Sequence, residues 1–413
     1  MAVDLRQVMA AILTLSMFIM LGNMIKRDHL DPLLEPLPVS PKVQYNALKI
    51  SKPGMHKLSE ISYGPWKELN ESPKPCWKKP SFRGEQSKGY IFFSLSHNPE
   101  FHASQIANVV VIARHLGATL ALPDIRGAKL DERRKFGEIY DVSKFIETLN
   151  GIVRVDKNPP AGLSNGRVPT VRVPNKVSTN FIASNIKPIF KTKRALKIVT
   201  CFNASTTMKR GNDNKLSNAF ECVATFETLN LQPDLQEVVD SMVGTLRSLS
   251  QKTRGRFVAV DLRVEMLRKK SCLKSKWCYN GEEIGEFLKK IGFHADTTIY
   301  LTQTGWDSSL NALRNVFPNT FTKDAIMPAD EKAKYMGSES REYENFIDFY
   351  MCTKADVFVP AFPSRFYHSV VGKRIAYGKT QIIVPANNTS ASATDYISPY
   401  ITNKNHSAYS CFC

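Results

Sequence analysis

The sequence predicts an α/β protein of two Rossmann-like lobes with a cleft between them, preceded by a membrane-spanning helix and a stem. Three observations predict it. Strand-like apolar runs alternate with helix-period segments from residue 88 onward. The alternation restarts at residue 256. Residues 8–25 carry no charge over 18 positions.

The first lobe begins with Tyr90-Ile91-Phe92-Phe93, a buried-strand run. Residues 103–117 then show helical spacing through Ile106, Val109, Val110, Ala113 and Leu116, and residues 118–123 read as the next strand. Strand, helix and strand in that order form a right-handed parallel crossover. Residues 155–195, rich in Asn, Pro and Lys, read as irregular, and Leu196 to Thr200 returns to the sheet. The second lobe opens on Phe257-Val258-Ala259-Val260. Residues 281–291 form an amphipathic helix with its acids first, which suits the helix dipole. A strand at 298–301, helices at 308–316 and 343–355, a strand at 357–359, a helix at 364–373 and a last strand at 382–384 complete it. No internal repeat is present. The divisions are a tail at 1–7, an anchor at 8–25, a stem at 26–84, and lobes at 85–250 and 251–413.

As a helix, the uncharged run would extend about 27 Å at about 1.5 Å per residue, close to the thickness of an early secretory membrane. Met24-Ile25-Lys26-Arg27 follows it where a signal peptide would need small residues, so a retained anchor is expected. Bases flank both ends and leave orientation undecided. Sequons at Asn70, Asn203, Asn387, Asn388 and Asn405 point to a lumenal body on a single-pass type II anchor. Residues 31–80 hold nine of the 23 prolines, as a spacer would. An oxidising lumen permits disulfides among the eight Cys, although pairing is not readable from spacing. The terminal Cys411-Phe412-Cys413 fits a thiol pair, a metal site or no chemistry; no catalytic role is expected.

With 43% hydrophobic residues the chain can bury a core, and bulk disorder is excluded. The formal charge of +18 suggests an anionic partner. Nucleic acid is not expected: the compartment is wrong, and no aromatics interleave with the basic runs at 133–135, 191–194 and 268–270.

No Gly-rich dinucleotide motif or Walker loop is present, and no D-x-D metal clamp, so neither a cofactor nor a metal is expected. Ligands of open α/β sheets bind where strands end and helices begin, and three segments place polar groups there. Ser94 to Pro99 offers His97 and Asn98, or else a capped helix start. Val260-Asp261-Leu262-Arg263-Val264-Glu265 puts a charged pair at a strand end, where Arg263 could meet a diphosphate bidentately; an internal Asp261–Arg263 salt bridge is the alternative. Asp356, Ser364, Arg365 and Arg374 form the third. A helix starting near Ser364 presents N–H groups to a phosphate, Asp356 could bond a base or ribose, and Arg374 a second phosphate. The alternative is a core strand with capping residues.

The order of these segments resembles the plant O-fucosyltransferase-like glycosyltransferases. V-A-V-D-L-R-V-E stands where that family carries H-L-R-F-E. A-D-V-F-V with V-V-G-K-R stands where it carries S-D-V-F-V with V-x-G-H-R, and A-R-H-L-G-A-T-L-A-L-P matches A-R-x-L-N-A-T-L-x-x-P. Ser364 and Phe366 match an S-x-F of animal protein O-fucosyltransferases. The N-terminal D-L-R-Q-V and L-T-L-S-M-F-I-M-L-G-N-M-I-K-R-D-H are similar to the mannan-synthesis-related branch, implicated in mannan and glucomannan synthesis in the Golgi.

The resemblance implies a GT-B fold, a nucleotide-sugar donor (a GDP-sugar in the first instance), a polysaccharide acceptor, and inverting, metal-independent transfer. Arg263 would bind the donor diphosphate, Asp356, Ser364 and Phe366 would line the nucleotide site, and Arg374 would support it. Asp261 replaces the family His, and the loop at 97–101 replaces a glycine-rich segment. These departures motivate two rivals: a non-catalytic partner of a polysaccharide synthase, and a fucosyl- or rhamnosyltransferase acting on another wall glycan.

Overall fold

Two parallel sheets organise the chain. The computed structural model describes residues 65–67, 73–78, 86–127, 129, 131–160, 168–202, 215–269, 272, 277–336, 341–387 and 389–413. The expected tail and anchor, most of the stem and the sequons at Asn70, Asn203 and Asn388 lie outside them. Among the described residues no helix is long and apolar enough to cross a membrane.

The first sheet comprises β1 (Tyr90–Leu95), β2 (Thr119–Ala121), β3 (Asp124–Arg126), β4 (Arg133–Lys135), β5 (Val155–Asp156), β6 (Thr170–Pro174) and β7 (Ala195–Cys201). Its parallel body runs β6-β7-β1-β2-β5. β3 joins the C-terminal end of β1, and β4 lies antiparallel to β3. Helix α1 (His102–Leu116) carries the chain from β1 to β2 and stops at Gly117, whose φ of 66° is left-handed and suits a residue without Cβ. Residues 155–195, expected to be irregular, contain β6 and a helix at Lys187–Lys193. Helix α2 (Lys215–Phe226) packs on α1.

The second sheet has β8 (Phe257–Asp261), β9 (Thr298–Leu301), β10 (Thr320–Phe321) and β11 (Val357–Pro360) in the order β10-β9-β8-β11, all parallel. Every residue of β8, β9 and β11 is buried, as a parallel sheet covered on both faces requires. Helix α3 (Gly281–Lys290) starts with a capping box: Asn280 accepts from the Glu283 N–H, and Glu283 accepts from the Asn280 N–H. Helices α4 (Arg341–Lys354) and α5 (Arg365–Ala376) flank β11. The expected last strand is reduced to isolated bridges, Ile382 to Phe358 and Ile383 to Ile397.

The two sheets meet directly. The turn Pro99–Phe101, just before α1, packs against α4 and α5, and Arg134 of β4 pairs with Glu342 of α4 at 2.8 Å. The C-terminal segment then returns to the first sheet. Cys411 is bonded to Cys222 of α2 and Cys413 to Cys76, while Cys272 and Cys278 close a short loop. The terminal C-x-C is therefore a pair of structural disulfides.

Candidate active site at the cleft

The C-terminal edge of the second sheet gathers several of the candidate polar groups. β8 ends on Asp261, fully buried, and Arg263 follows with its side chain 20% exposed. Their separation is 3.3 Å from Nη2 to Oδ1. The Thr302 hydroxyl, beyond the end of β9, donates to the same Oδ1 at 3.0 Å. The guanidinium carbon of Arg263 sits 5.2 Å from the ring centroid of Phe366 and 5.7 Å from that of Phe362, within cation–π range. The salt bridge proposed as the alternative reading is thus present, and it holds the arginine at the sheet edge. Two buried atoms of the pair, Asp261 Oδ2 and Arg263 Nε, have no hydrogen-bond partner.

Burial pushes the Asp261 carboxyl up, with Arg263 and Thr302 opposing it. Burial also works against the charge on Arg263, but the carboxylates of Asp261, Asp348 and Glu100 outweigh it and raise its pKa. Arg263 stays charged.

Beyond β11, Ser364 caps α5 by accepting from the Tyr367 N–H at 3.0 Å. This leaves the positive end of a 12-residue helix at the same edge as Arg263. Phe366 is buried edge-to-face against Phe349 at 5.9 Å and serves as the platform under the guanidinium.

The opposite wall comes from the first lobe. The Ser369 hydroxyl of α5 donates to the Glu100 carbonyl at 2.9 Å, and the Arg365 guanidinium lies 5.6 Å from the Phe101 ring centroid. Burial pushes the Glu100 carboxyl up to about 6, although its own backbone N–H, Arg263 and Arg365 draw it down. A hollow of about 70 Å³ lies beside Glu100 between the lobes, walled by Tyr140, Phe226, Phe349, Tyr350 and His368; Arg263, Ser364 and Phe366 do not line it.

Several of these residues escaped sequence reasoning. Glu100 sits in a turn whose neighbours drew attention to His97 and Asn98 instead. His97 is exposed, and the Asn98 side chain does not cap the turn it precedes. His102 is fully buried: its Nε2–H donates to the Ser96 carbonyl at 2.6 Å, and its Nδ1 accepts from the Tyr140 hydroxyl at 2.8 Å. Burial holds it down at about 4, so it is a neutral fastener of the loop. Beneath Arg263, the buried Lys323 contacts Asp348 at 2.9 Å and Glu344 at 3.3 Å, and Tyr300 donates to Asp348 at 2.6 Å. Burial lifts Asp348 to about 6. Lys323 follows β10, and the acids lie on α4; their spacing in sequence carries no signal.

Two expected donor residues are corrected. Asp356 precedes β11 and so lies at the opposite end of that strand from Ser364, about 13 Å away at roughly 3.3 Å per residue. Its carboxylate accepts from the Phe257 N–H at 3.0 Å, joining the N-terminal ends of β8 and β11. Arg374 is fully buried and donates to the carbonyls of Cys352 (3.0 Å), Ala355 (2.6 Å), Asp356 (3.0 Å) and Gln381 (3.0 Å). It closes the C-terminal end of α4, where a cation is favoured. Glu265 is exposed on the short helix after Arg263. The structure therefore brings Arg263, Asp261, Ser364, Arg365 and Phe366 together with Glu100, and sets Asp356 and Arg374 apart.

Known proteins bear on this arrangement. The family model for GDP-fucose protein O-fucosyltransferases matches residues 102–377. MANNAN SYNTHESIS-RELATED 1 and 2 of Arabidopsis thaliana are 49% and 48% identical, each over the whole of both chains. O-fucosyltransferase 11 of the same plant is 24% identical over 78% of this chain and 64% of that protein. The solved structure of POFUT1 with GDP aligns at a TM-score of 0.44 and 13% identity, over 72% of this chain and 98% of that one. The chain belongs to the GDP-fucose protein O-fucosyltransferase family and is a glycosyltransferase, alike over its whole length to mannan-synthesis-related proteins.

Proposed function

We propose that this protein is a Golgi glycosyltransferase of mannan or glucomannan synthesis that transfers a sugar from a GDP-sugar with inversion and without a metal. The observation that carries the reading is the placement of Arg263: a caged cation beside the Ser364-capped N-terminus of α5, opposite Glu100 of the other lobe. The donor diphosphate would sit between that helix end and the guanidinium, in the lobe at 251–413. As the bond from the sugar C1 to phosphate oxygen breaks, Arg263 and the helix N–H groups offset the charge that develops on the departing nucleotide. An acceptor hydroxyl attacks C1 from the opposite face, and Glu100 takes its proton. A carboxyl near 6 is ionised at neutral pH yet basic enough for that task.

The exposed sequons at Asn387 and Asn405 and the three disulfides support a lumenal body on the 8–25 anchor. The names of the whole-length relatives support the mannan assignment, and the family description supports a GDP-sugar.

The test is a transfer assay on the purified protein with GDP- and UDP-sugars and mannan-type acceptors. Activity from a GDP-sugar that collapses in Arg263→Ala supports the reading; undiminished activity in that variant ends it. A second reading, an accessory partner of a polysaccharide synthase, is favoured by the Asp261 carboxylate that already engages Arg263. Absence of transfer despite tight GDP binding would select it. A preference for GDP-fucose or UDP-rhamnose in competition would select the other enzyme.

A further inference from the structure

One face of the first sheet departs from the rule that parallel sheets are covered on both sides. In β1 and β7 the side chains of Ile91, Phe93, Leu95, Leu196 and Ile198 are buried. Their alternates Tyr90, Phe92, Lys197 and Val199 are only half-buried. Register places these alternates on one surface. Phe92 lies beside Lys197, and Arg172 of β6, exposed, lies beside Val199. At the far side Asp156 of β5 accepts from the Tyr90 hydroxyl at 3.0 Å. The rings of Tyr90 and Phe92 run side by side, with centroids 6.3 Å apart and planes 29° from parallel. This face is a flank of the lobe, not the strand-end edge that meets the cleft.

The charge around it is one-sided. Residues 157–202 contain nine Lys and Arg and no Asp or Glu, half of the +18 of the whole chain. Among the described residues, neither Arg172 nor Lys197 has an ion pair, and Asp156 is already engaged by Tyr90. A surface with two adjacent rings and cations that lack ion pairs among the described residues fits a polymer that offers sugar-ring faces and carboxylates together. The open edge of β6 carries Arg172 and Pro174, which discourage pairing with another strand. The large apolar residues that stand exposed (Ile189, Leu249, Trp277 and Tyr377) lie off this face, so it has no anchor for a bilayer.

We infer that the half-exposed face formed by Tyr90, Phe92, Arg172, Lys197 and Val199 is a non-catalytic docking platform for an acidic, uronate-bearing polysaccharide. The aromatic pair supports sugar rings, and Arg172 and Lys197 pair with carboxylates. The choice of a glycan over other polyanions rests on the glycosyltransferase reading; the basic, aromatic face itself does not.

The experiment measures binding of polygalacturonate to the purified full chain, beside neutral glucomannan, poly(U) and vesicles of anionic lipid. Polygalacturonate is expected to bind tightest, with affinity falling as salt rises. Arg172→Glu combined with Lys197→Glu should weaken it at least tenfold. GDP binding, measured on the same sample, should not change, and the neutral pair Arg172→Gln with Lys197→Gln gives an intermediate loss if charge reversal disturbs folding. Unchanged polygalacturonate affinity in both variants overturns the platform. So does binding of poly(U), vesicles or neutral glucomannan as tight as that of polygalacturonate. A wild-type chain that binds polygalacturonate but no nucleotide would overturn the proposed reaction and leave the platform standing.

Discussion

Asp261 holds Arg263 at 3.3 Å from within the sheet, so the cation that faces the cleft is half-neutralised before any donor arrives. A diphosphate must compete with a buried carboxylate for that guanidinium. Asp261→Asn keeps an acceptor for Thr302 and removes the competing charge. It should tighten GDP binding several-fold in calorimetry, whereas weaker binding would show that the carboxylate orients Arg263 more than it opposes the ligand. Arg263→Ala should lower kcat on the order of 10²–10³-fold, the range for loss of one donor to a developing oxyanion.

Arg374 predicts the reverse pattern. Arg374→Met strands four carbonyls that now share one guanidinium. A loss of about 3–5 kcal/mol in stability is expected, typical of breaking a buried charged network. Denaturant unfolding checks it. Any folded fraction should bind nucleotide as the wild type does, because Arg374 is fully buried at the C-terminal end of α4, away from the edge that carries Arg263.

The acid limb of the pH–rate profile belongs to Glu100. With its carboxyl near 6, transfer should fall as pH drops through that value, because protonation removes the base. Glu100→Gln should lower activity at all pH values and abolish that limb. A limb unchanged in the variant would assign the base elsewhere.

Stability carries a separate pH signature from Asp348, whose folded pKa of about 6 lies above its ordinary value of 3.8. A raised carboxyl contributes stability fully present below the unfolded pKa and lost as pH rises through the folded one. Its share of the free energy of unfolding should therefore decline between about pH 4 and 6, against the rise contributed by the buried His102, so stability at pH 6 relative to pH 4 should be higher in Asp348→Asn than in the wild type. Urea titrations at three pH values would show it.

Removal of disulfides should follow loop length. Cys222–Cys411 spans 189 residues and Cys272–Cys278 spans six. Chain-entropy arguments assign about 5 kcal/mol to the first and about 2 to the second. Cys411→Ser should thus lower the melting temperature well beyond Cys272→Ser.

Parallel strands in the interior of each sheet announce themselves in the sequence. β1, β7, β8, β9 and β11 are short apolar runs bounded by polar residues, and each lies where the alternation places it. β4 and β6 do not, for one physical reason: they lie at sheet edges with most positions exposed, so Arg133-Arg134-Lys135 carries no apolar signal and Thr170–Pro174 only the alternating Val171 and Val173. Strand direction and motif agree in placing Arg263 and Ser364 at one sheet edge. At Asp356 the motif was right about the strand and wrong about which end faces the cleft. Arg374 faces away because a basic residue near a helix C-terminus is also what closing the preceding helix requires. Glu100 depends on which elements meet across the lobes and the Lys323–Asp348 pair on which meet within the second lobe, and nothing local encodes either.

The bond from Cys413 to Cys76 has a topological consequence. From residue 76 to the last residue the chain is a closed covalent ring, and Lys74 pairs with Cys413 by hydrogen bonds of 2.9 and 2.8 Å. Entry to the body and its end thus lie at one point. A reporter fused after Cys413 would stand beside the segment that enters from the N-terminus. A truncation of only three residues would cut both long-range ties at once. Linking residue 413 to residue 74 and opening the ring at an exposed loop should give a circular permutant with the same body.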